Sequence, residues 1–501
     1  MKPALSELKP FAGEYPLVSV YRTIGAEGRS PVDALRMLKR VTHKLFVLEH
    51  THNDADGSVV WDRYAYIGFA PSLQVSCVDQ TVTVTTAQTS FSIPCARPAD
   101  FLRAVVSQNT APRLEGLPPF FGGFAGYFSY EYIRLTEPAC HIAAENAEGF
   151  RDFDLMLLDR LYVFDRQEDR IYLICSIATD RLEENYREAE RTLAYMESLL
   201  SPGKSAESDA AGRLRFTGAF RDIYPKDAYL GMVEQAKRLI QKGDVAQIVL
   251  TNGKRVKAQG SLIDTYGILR RSDPTRYLCY FSSDDAEAVM ASPEPIAKLQ
   301  DGVVMTERLA GSYARGKTQG EDAAQAAALR ADEKAINEHN MLVDDARNEF
   351  GYLSKIGSVK VEGYLNIIRC ARVMHLGSTV TGELKEGMGA LDVVNAITPS
   401  GAVSGAPKIR SCEVICEIEQ ERRGIYGATF GYIGLDGNAD FFVFIHSAFK
   451  KNGEITVRAG GGIVIDSVPQ EEYEECLFKA EAMLEAIQSA TGGEANDSAD
   501  R

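Results

Sequence analysis

The stretch DAYLGMVEQAKRLIQKGDVAQIVLT, residues 227–251, contains both kinds of element on which the fold class depends. Apolar side chains recur in its first part at the spacing of one helical face, at Met232, Val233, Ala236, Leu239 and Ile240. We predict a helix over Asp227–Lys242 that ends at Gly243. The segment Val245–Thr251 that follows is rich in β-branched residues and predicts a strand. A long helix that leads directly into a strand is typical of a protein in which helices pack on sheets.

Segments outside this stretch repeat the mixture of strands and helices. The short alternating runs Val75–Val78 and Thr81–Thr85 predict strands. The patterns of Pro31–Arg40 and Leu182–Leu200 predict helices. No internal repeat of fixed period is present, which speaks against a repeat architecture. The mixture of strands and helices predicts an α+β or layered α/β fold.

Two segments without hydrophobic periodicity divide the chain. Residues 201–212, SPGKSAESDAAG, are small and polar and predict an exposed linker. Residues 491–501 follow the last amphipathic helix and predict a disordered tail. We therefore expect an N-terminal region over residues 1–200 and a second region over residues 213–490.

The bulk composition excludes several classes of protein. A net charge of −15 speaks against a nucleic-acid-binding protein, which needs a basic face, but a local pocket can still bind a small anion. No segment has the apolar length of a signal peptide or a membrane span. The nine cysteines are scattered and never form a CxxC motif, which is typical of buried thiols in a reducing compartment. The sequence predicts a cytoplasmic globular protein that binds neither nucleic acid nor membrane.

The last predicted helix carries a group of charged side chains. We expect this helix to begin at Ser467, because Ser467 and Gln470 have capping-box spacing. Within it Glu472, Glu475 and Lys479 are three and four residues apart and so share one face. Carboxylates at the edge of a buried stripe are suitable ligands for a hard cation such as Mg²⁺. A solvated charged face is the alternative, and for an isolated pair of glutamates it is the more common one.

Three further features allow more than one interpretation. Glu338 lies on a second predicted helix, Asp332–Arg347, and is open to the same two interpretations as the glutamates of the last helix. The glycines at 460–462 precede a strand-like run and predict either an anion-binding loop or a tight turn. They lack a P-loop lysine, so nucleotide binding is unsupported. His375 lies among apolar residues, as a core histidine does, and the absence of a Gly-x-Ser-x-Gly motif gives no indication of acyl-enzyme chemistry.

Ordered sequence blocks along nearly the whole chain resemble the chorismate-utilising enzymes, and most closely component I of the anthranilate synthases. The blocks are Trp61–Gly68, Pro118–Gly123, Gly243–Leu250, Ser292–Pro295, Glu338–Asp344, Ser404–Lys408 and Asp466–Pro469. Several such blocks at family-like spacing are far more specific than any one of them. The resemblance implies a large mixed α/β layered sandwich of the chorismate-binding enzyme type, with the active site in the C-terminal half.

The resemblance also implies roles for individual residues. Glu338 and Glu475 match the direct Mg²⁺ ligands, with Glu472 nearby, and the ion would hold the ring carboxylate of chorismate. Glu294 matches the general acid that assists departure of the 4-hydroxyl, and a raised pKa would suit that role. His375 matches the histidine associated with the later elimination of pyruvate. The positions that match substrate contacts are Gly311, Ser312, Tyr426, Gly460, Gly461, Gly462 and Lys479.

Two positions distinguish the nucleophiles used within the family. Relatives that add water carry a lysine base where this chain has Gln247, and an amide cannot deprotonate water. Many aminodeoxychorismate synthases carry a lysine nucleophile in a Pro-Ile-Lys-Gly-Thr motif, which reads Arg308-Leu309-Ala310-Gly311-Ser312 here. The resemblance therefore implies that ammonia attacks C2 to give aminodeoxyisochorismate and then anthranilate. The ammonia would come from a separate glutamine amidotransferase subunit.

Several positions in the predicted substrate site depart from the family pattern. His446 replaces an arginine that would grip a substrate carboxylate by a bidentate pair. Ala402 replaces a threonine near the reacting ring, Ser312 replaces another threonine, and Ala335 replaces a glutamate. These exchanges are compatible with a compensated variant site, weaker substrate binding, or an altered substrate or product. The alternatives are an enzyme that makes aminodeoxyisochorismate or 4-amino-4-deoxychorismate, or a catalytically silent binding paralogue.

The tryptophan-binding regulatory site of the family is altered as well. Its Leu-Leu-Glu-Ser signature ends in His50, and its Asn-Pro-Ser-Pro-Tyr-Met block ends in Arg276, Tyr277 and Leu278. Imidazole and guanidinium groups in place of serine and proline change both the size and the charge of such a site. We predict weak or absent inhibition by tryptophan.

Overall fold

Two large antiparallel sheets contain the described strands. The fold is that of a computed structural model, which describes residues 1–54, 57–200, 212–370 and 373–492 and, at Ser312, the backbone alone. Strands and helices are numbered here in chain order. The first sheet has 13 strands: β1 (Leu17–Gly25), β2 (Leu45–Asn53), β3 (Val59–Phe69), β9 (Arg160–Asp165), β10 (Arg170–Ala178), β11 (Arg215–Phe216), β12 (Arg221–Asp222), β13 (Gln247–Gln259), β14 (Tyr277–Ser282), β15 (Glu287–Ser292), β20 (Gly405–Ala406), β23 (Ser447–Lys451) and β24 (Glu454–Ile463).

The second sheet and the helices complete the architecture. This sheet has 11 strands: β4 (Leu73–Val78), β5 (Thr81–Thr86), β6 (Ser90–Pro94), β7 (Gly123–Phe128), β8 (Phe153–Leu158), β16 (Pro295–Gln300), β17 (Val303–Ala314), β18 (Lys360–Arg369), β19 (Val373–Glu383), β21 (Thr429–Gly434) and β22 (Ala439–Val443). The α-helices are α1 (Leu5–Leu8), α2 (Pro31–Leu38), α3 (Pro98–Ser107), α4 (Ile133–Thr136), α5 (Leu182–Leu199), α6 (Lys226–Gln241), α7 (Ile263–Ser272), α8 (Gln319–Ala331), α9 (Glu333–Leu353), α10 (Ala390–Ile397), α11 (Lys408–Glu419) and α12 (Pro469–Ala490).

The largest core lies between the two sheets, and helices cover the outer faces. Strand β2 shows the arrangement, because successive side chains point to opposite faces of a sheet. Phe46 and Leu48 belong to the core between the sheets, whereas Leu45 and Val47 pack in a second core that also contains residues of α2, α5, α7 and α12. A strand buried on both faces is apolar at nearly every position. The fold is therefore a mixed α/β sandwich, as predicted.

The helix and strand predicted over residues 227–251 are both present. Helix α6 ends one residue before the predicted end, and Gly243 follows it with φ +80°, a left-handed conformation that glycine adopts without steric cost. Strand β13 begins at Gln247 and runs to Gln259, eight residues beyond the predicted end at Thr251. It continues through polar residues because it pairs with β24 from Ile248 to Lys257, and this long-range pairing leaves little trace in local sequence.

One local prediction needs correction. Helix α12 begins at Pro469 with Val468 at the N-cap position, and no side chain caps it. The hydroxyl of Ser467 instead accepts a hydrogen bond from the backbone N–H of Val464 at 3.1 Å. Ser467 therefore stabilises the loop that precedes the helix. The spacing of Ser467 and Gln470 was a misleading signal, because Pro469 fixes the start of the helix at N1.

Strands from both predicted regions share both sheets. In the first sheet β2 pairs with β14 from Leu45↔Ser282 to His50↔Tyr277, and in the second β7 pairs with β21 from Gly123↔Gly434 to Phe128↔Thr429. The two regions of the sequence are thus interleaved in space. Residues 201–211 of the predicted linker and 493–501 of the predicted tail lie outside the described residues, so both of those assignments stay predictions.

Two further observations concern helices and cysteines. Among the described residues, no helix has the length and apolarity needed to cross a membrane. All nine cysteines carry free thiols, and seven of them are buried, as the scattered spacing predicted.

Candidate active site

The three glycines at 460–462 lie on β24 directly opposite the start of β13. The register pairs Val249 with Gly462 and Thr251 with Gly460. A Cβ atom on Gly462 would lie 2.6 Å from the side-chain nitrogen of Gln247, and one on Gly461 would lie 2.9 Å from a carboxylate oxygen of Glu472. Both distances are shorter than ordinary Cβ contacts, so a Cβ atom at either position would displace the end of the Gln247 or Glu472 side chain. The glycines therefore allow an amide and a carboxylate to approach the strand backbone closely.

Helix α12 brings its predicted charged residues to the same strand. Lys479 donates a hydrogen bond to the carbonyl oxygen of Gly460 at 3.2 Å and forms an ion pair with Glu475 at 2.5 Å. Burial raises the pKa of Glu472, and the nearby Glu475 raises it further, while Ser467 and Lys479 act in the opposite direction. One end of α12 thus presents a lysine and two carboxylates beside Gly460–Gly462.

Glu294 lies in the short connection between β15 and β16, which belong to different sheets. It is half-buried, and the low polarity of its surroundings raises the pKa of its carboxyl, an effect that Arg308 partly opposes. Tyr426 is buried, and burial raises the pKa of its hydroxyl, with Glu294 among the charges that contribute. A carboxyl with a raised pKa keeps its proton at a higher pH than an exposed glutamate does. Glu294 consequently has the properties of a general acid.

His375 is held by the backbone of Gly311 at an irregularity between β17 and β19. The register of these strands shifts between Ala310 and Tyr313, and Gly311 there has φ +64°. The carbonyl oxygen of Gly311 lies 2.7 Å from Nδ1 of His375. Because a carbonyl oxygen can only accept, Nδ1 carries a proton, and the lone pair of the neutral ring is on Nε2. The backbone of Ser312 follows in the same strand, while its side chain lies outside the described residues.

The two unusual positions of the predicted substrate site lie in loops. Ala402 is in the 3₁₀ turn Gly401–Val403, where its N–H donates to the hydroxyl of Ser400 at 3.3 Å. His446 lies between β22 and β23 with φ +48°. Desolvation by the surrounding protein lowers the pKa of His446, Lys479 lowers it further, and Asp273 acts in the opposite direction. The imidazole therefore favours its neutral form and does not replace the positive charge of an arginine.

The predicted Mg²⁺ ligands have suitable chemistry but are not brought together. Glu472 and Glu475 lie on α12, whereas Glu338 is exposed on α9. Across residues 1–54, 57–200, 212–370 and 373–492, no group of three or more His, Cys, Asp and Glu side chains is placed to hold a metal ion. The arrangement supplies carboxylate oxygens, which Mg²⁺ prefers, but it does not fit a preformed metal site. Their assignment as ligands stays a prediction.

The predicted regulatory residues border a cavity of about 1480 Å³ between the two sheets. His50 and Tyr277 are cross-strand neighbours whose ring centroids lie 4.9 Å apart, and Arg276 forms an ion pair with Glu307. Leu278 does not line this cavity. It follows Tyr277 on β14, so its side chain points to the opposite face of the sheet and is buried in the second core. His375 lines the same cavity. One chamber therefore reaches from the predicted regulatory residues to a predicted catalytic residue.

Beside this cavity is a buried carboxylate that sequence reasoning missed. Glu49 accepts hydrogen bonds from the hydroxyl of Tyr266 at 2.5 Å and from Nε of Arg270 at 2.8 Å, and it also pairs with Arg166. These donors occupy both carboxylate oxygens. Nothing in the local sequence around Glu49 indicates partners more than 100 residues away.

A second missed network lies beneath β13. Arg423, 1% exposed, pairs with Glu419 at 2.6 Å and donates to the carbonyl oxygens of Val249 at 2.6 Å and Val403 at 2.7 Å. Glu419 in turn accepts from the backbone N–H of Thr251 at 2.9 Å. The pair links the strand opposite the glycines to the turn that contains Ala402. The i,i+4 spacing of Glu419 and Arg423 was the available sequence signal.

Comparison with known proteins identifies the family. The family model of the chorismate-binding enzymes matches residues 57–485 of the chain. The chain belongs to this family. The resemblance seen in the ordered sequence blocks, and the fold that it implied, are thereby confirmed.

Relatives within the chorismate-binding family are similar over nearly the full length. Anthranilate synthase component 1 of Aquifex aeolicus is 33% identical over 490 residues, covering 97% of this chain and 98% of that protein. The Pseudomonas aeruginosa protein of the same name is 37% identical over 439 residues, covering 86% and 88%. The crystal structure of anthranilate synthase component I from Streptococcus pneumoniae superposes with a TM-score of 0.73 at 31% identity, covering 92% of this chain and 98% of that one.

A more distant solved structure shows the same fold. The menaquinone-specific isochorismate synthase of Escherichia coli superposes with a TM-score of 0.64 at 17% identity, covering 97% of this chain and 99% of that one. At this identity the likeness concerns the fold alone. The nucleophile used by this chain must therefore be argued from its own residues.

Proposed function

We propose that this chain catalyses the Mg²⁺-dependent amination of chorismate at C2 by ammonia, followed by elimination of pyruvate to give anthranilate, as part of tryptophan biosynthesis in the cytoplasm. The observation that carries the proposal is the side chain of Gln247 beside Gly462. An amide there can donate and accept hydrogen bonds but cannot take a proton from water. Ala310 offers no amine, so ammonia is the nucleophile that the site leaves available.

Glu294 would supply the proton for the first step. As the nitrogen–C2 bond forms, the two conjugated ring double bonds each shift by one position and the C4–oxygen bond breaks. The carboxyl of Glu294 protonates the departing hydroxyl to give water, and the new ammonium group returns a proton to the Glu294 carboxylate. Hydroxide is a poor leaving group, so this proton lowers the barrier. Burial raises the pKa of Glu294, so its acid form persists to a higher pH than that of an exposed glutamate.

His375 would act in the second step. The tautomer fixed by Gly311 has its lone pair on Nε2, which can accept the proton from C2. The electrons of the C2–hydrogen bond restore the aromatic ring as the C3–oxygen bond breaks. Enolpyruvate leaves, takes up a proton and becomes pyruvate. Lys479 and the backbone of Gly460–Gly462 would orient the substrate during both steps.

Mg²⁺ would be held by Glu338 and Glu475 with Glu472 nearby, and bound there it would fix the ring carboxylate. The carboxylate chemistry of these side chains supports this assignment. Substitution of Glu338 by glutamine is expected to abolish Mg²⁺-dependent turnover, because an amide is a much weaker ligand than a carboxylate. A magnesium titration of chorismate turnover measures the effect, and full activity of the variant at ordinary Mg²⁺ concentrations would contradict the assignment. The exposed Glu383, substituted in the same way, serves as the control.

A separate glutamine amidotransferase subunit would deliver the ammonia. The neutral His446 and the missing hydroxyl at Ala402 favour a second candidate, an enzyme that stops at aminodeoxyisochorismate or makes 4-amino-4-deoxychorismate. Incubation of the purified chain with chorismate, Mg²⁺ and excess ammonium at alkaline pH, followed by mass spectrometry, separates the candidates. Anthranilate and pyruvate are the expected products. An amino-dienyl product would instead support the second candidate, and unchanged chorismate would indicate a silent binding protein.

A further inference from the structure

Arg308 is a buried arginine with unused hydrogen-bonding capacity. Its side chain is 6% exposed and forms an ion pair with Glu349, with Nη2 at 3.3 Å from a carboxylate oxygen. Its Nε is buried and, in the described part of the chain, has no hydrogen-bond partner. Buried donors are rarely left unpaired, because they have lost their water without compensation. The unpaired Nε–H of Arg308 can donate a hydrogen bond to an acceptor group of a ligand.

The side chain of Arg308 lies on the face of β17 that α9 covers. Residues two apart on a strand share a face, so Arg308 faces the same way as Thr306 and Ala310. Across the ladder Arg308 is paired with Ser378, whose hydroxyl lies 2.7 Å from the ring of His339 on α9. The hydroxyl of Thr306 is also buried and lacks a partner among the described residues. Two adjacent polar groups on this face are thus unsatisfied, beneath the helix that carries Glu338.

The local charge balance around Arg308 favours an anion. Glu349 pairs with both Arg308 and Lys408, the latter at 2.5 Å. Asp345, one turn earlier on α9, is the other acidic group of this cluster, and burial raises the pKa of its carboxyl. Among the described residues Asp345 forms no ion pair with Arg308 or Lys408, so Glu349 alone pairs with both cations.

The cluster borders two residues of the candidate active site. Arg308 is the cation whose charge acts on Glu294. An oxygen of Asp345 lies 2.6 Å from the place that a Cβ on Gly401 would occupy, next to Ala402. The guanidinium is consequently close to the predicted general acid and to the turn where the family's threonine is replaced by a smaller residue.

We propose that Arg308 binds a carboxylate of the substrate and so helps determine specificity, an inference that rests on the proposed function. Chorismate is a dianion, and a guanidinium whose Nε–H is unpaired can bind a carboxylate by a charge-assisted hydrogen bond. The Pro-Ile-Lys-Gly-Thr motif has proline at this position, so that motif lacks the guanidinium. Arg308 would restore a positive charge to a site in which His446 is neutral.

Equilibrium binding of chorismate to the full chain, without ammonium, tests the inference. Arg308→Met removes the charge and the donors but keeps an unbranched side chain, Arg308→Lys keeps the charge, and Glu349→Gln removes the ion-pair partner while leaving Arg308 in place. We expect Arg308→Met to raise the dissociation constant at least about tenfold, the ratio typical of one lost charge-assisted hydrogen bond. Arg308→Lys is expected to recover part of the affinity, and Glu349→Gln to stay within about threefold of the parent.

The outcomes separate the possible failures. Unchanged affinity in Arg308→Met overturns the inference, as does an equal loss in Arg308→Met and Glu349→Gln, which would show that the arginine only completes an ion pair. Thermal unfolding of each ligand-free variant accompanies the measurement, and loss of affinity at an unchanged midpoint supports direct binding. If the parent chain binds no chorismate, the proposed function falls and this inference falls with it. If the parent binds and Arg308→Met binds equally well, only the inference falls.

Discussion

At the scale of single residues, Glu294 offers the sharpest test of the chemistry. Substitution by glutamine removes the proton donor while keeping the size of the side chain, so kcat is expected to fall by about 10²- to 10⁴-fold. The affinity for chorismate is expected to change little, because the acid acts on the departing hydroxyl. Steady-state kinetics combined with equilibrium binding separates the two effects. Equal losses in kcat and in affinity would mean that Glu294 serves in binding.

The same carboxyl predicts a pH dependence. A general acid must be protonated, and burial raises the pKa of Glu294 above that of an exposed glutamate. In the parent enzyme kcat is expected to decline as pH rises through this raised pKa, because the acid form is lost. The residual activity of Glu294→Gln is expected to lack that decline. The measurement is a profile of kcat against pH for both proteins. If kcat declines at the same pH in the parent and in Glu294→Gln, the decline belongs to another group.

Tryptophan inhibition is a second question at the residue scale. Around the cavity Tyr277 donates a hydrogen bond to Asp440 at 3.0 Å, and Arg276 pairs with Glu307. Polar groups that are paired with one another have little capacity left for the ammonium and carboxylate groups of an amino acid. We expect weak or no inhibition of anthranilate formation by tryptophan. Complete inhibition at micromolar tryptophan would refute this expectation.

At the scale of secondary-structure elements, the buried pair of Glu419 and Arg423 joins α11 to β13 and to the turn at Val403. Removal of one partner from a buried pair leaves an uncompensated charge, so Arg423→Met is expected to lower the free energy of unfolding by about 3–5 kcal/mol. Urea denaturation measures the loss. The double variant Arg423→Met with Glu419→Gln is expected to lose less stability than the sum of the two single losses. Each single variant leaves one buried charge without its partner, whereas the double variant leaves none. A loss below about 1 kcal/mol would mean that water replaces the pair.

The elements also show what local sequence can and cannot reveal. Helix α6 was predictable because its apolar face and Gly243 are local signals, and the fold class was predictable for the same reason. The extension of β13 to Gln259 was not, because it depends on pairing with β24 some 200 residues away. The start of α12 differs from the prediction because Pro469 occupies the first helical position and Ser467 lies outside the helix.

For the candidate site, motif blocks located most residues but not their partners. The closeness of Gln247 to Gly462 and of Glu472 to Gly461 was not predictable from spacing, since β13, β24 and α12 come together only in the folded chain. For the same reason it was unexpected that Glu338, Glu472 and Glu475 form no metal-binding group in the described part of the chain. The role proposed for Arg308 was not predictable from the sequence, because it depends on burial and on an unpaired nitrogen atom, which only the structure shows.

At the scale of the whole molecule, the interleaving of the two regions predicts cooperative unfolding. The two sheets each contain strands from both sides of residue 201, and the main core lies between them. We expect a single calorimetric transition and a fragment of residues 1–200 that does not fold alone, because its strands would lack their neighbours. Calorimetry of the full chain and circular dichroism of the fragment provide the measurements. Two separated transitions, or a folded fragment, would support independent domains.

The pairing of early strands with late ones also affects how the chain is made. When the ribosome has synthesised β2 and β7, their partners β14 and β21 have yet to emerge, and β21 lies about 300 residues downstream of β7. The nascent chain consequently carries apolar strand edges for most of its synthesis, and such edges are sites of aggregation. The last strands of the sheets can pair only when nearly the whole chain has been synthesised. Efficient production of this protein therefore depends on whatever shields an unfinished sheet during translation.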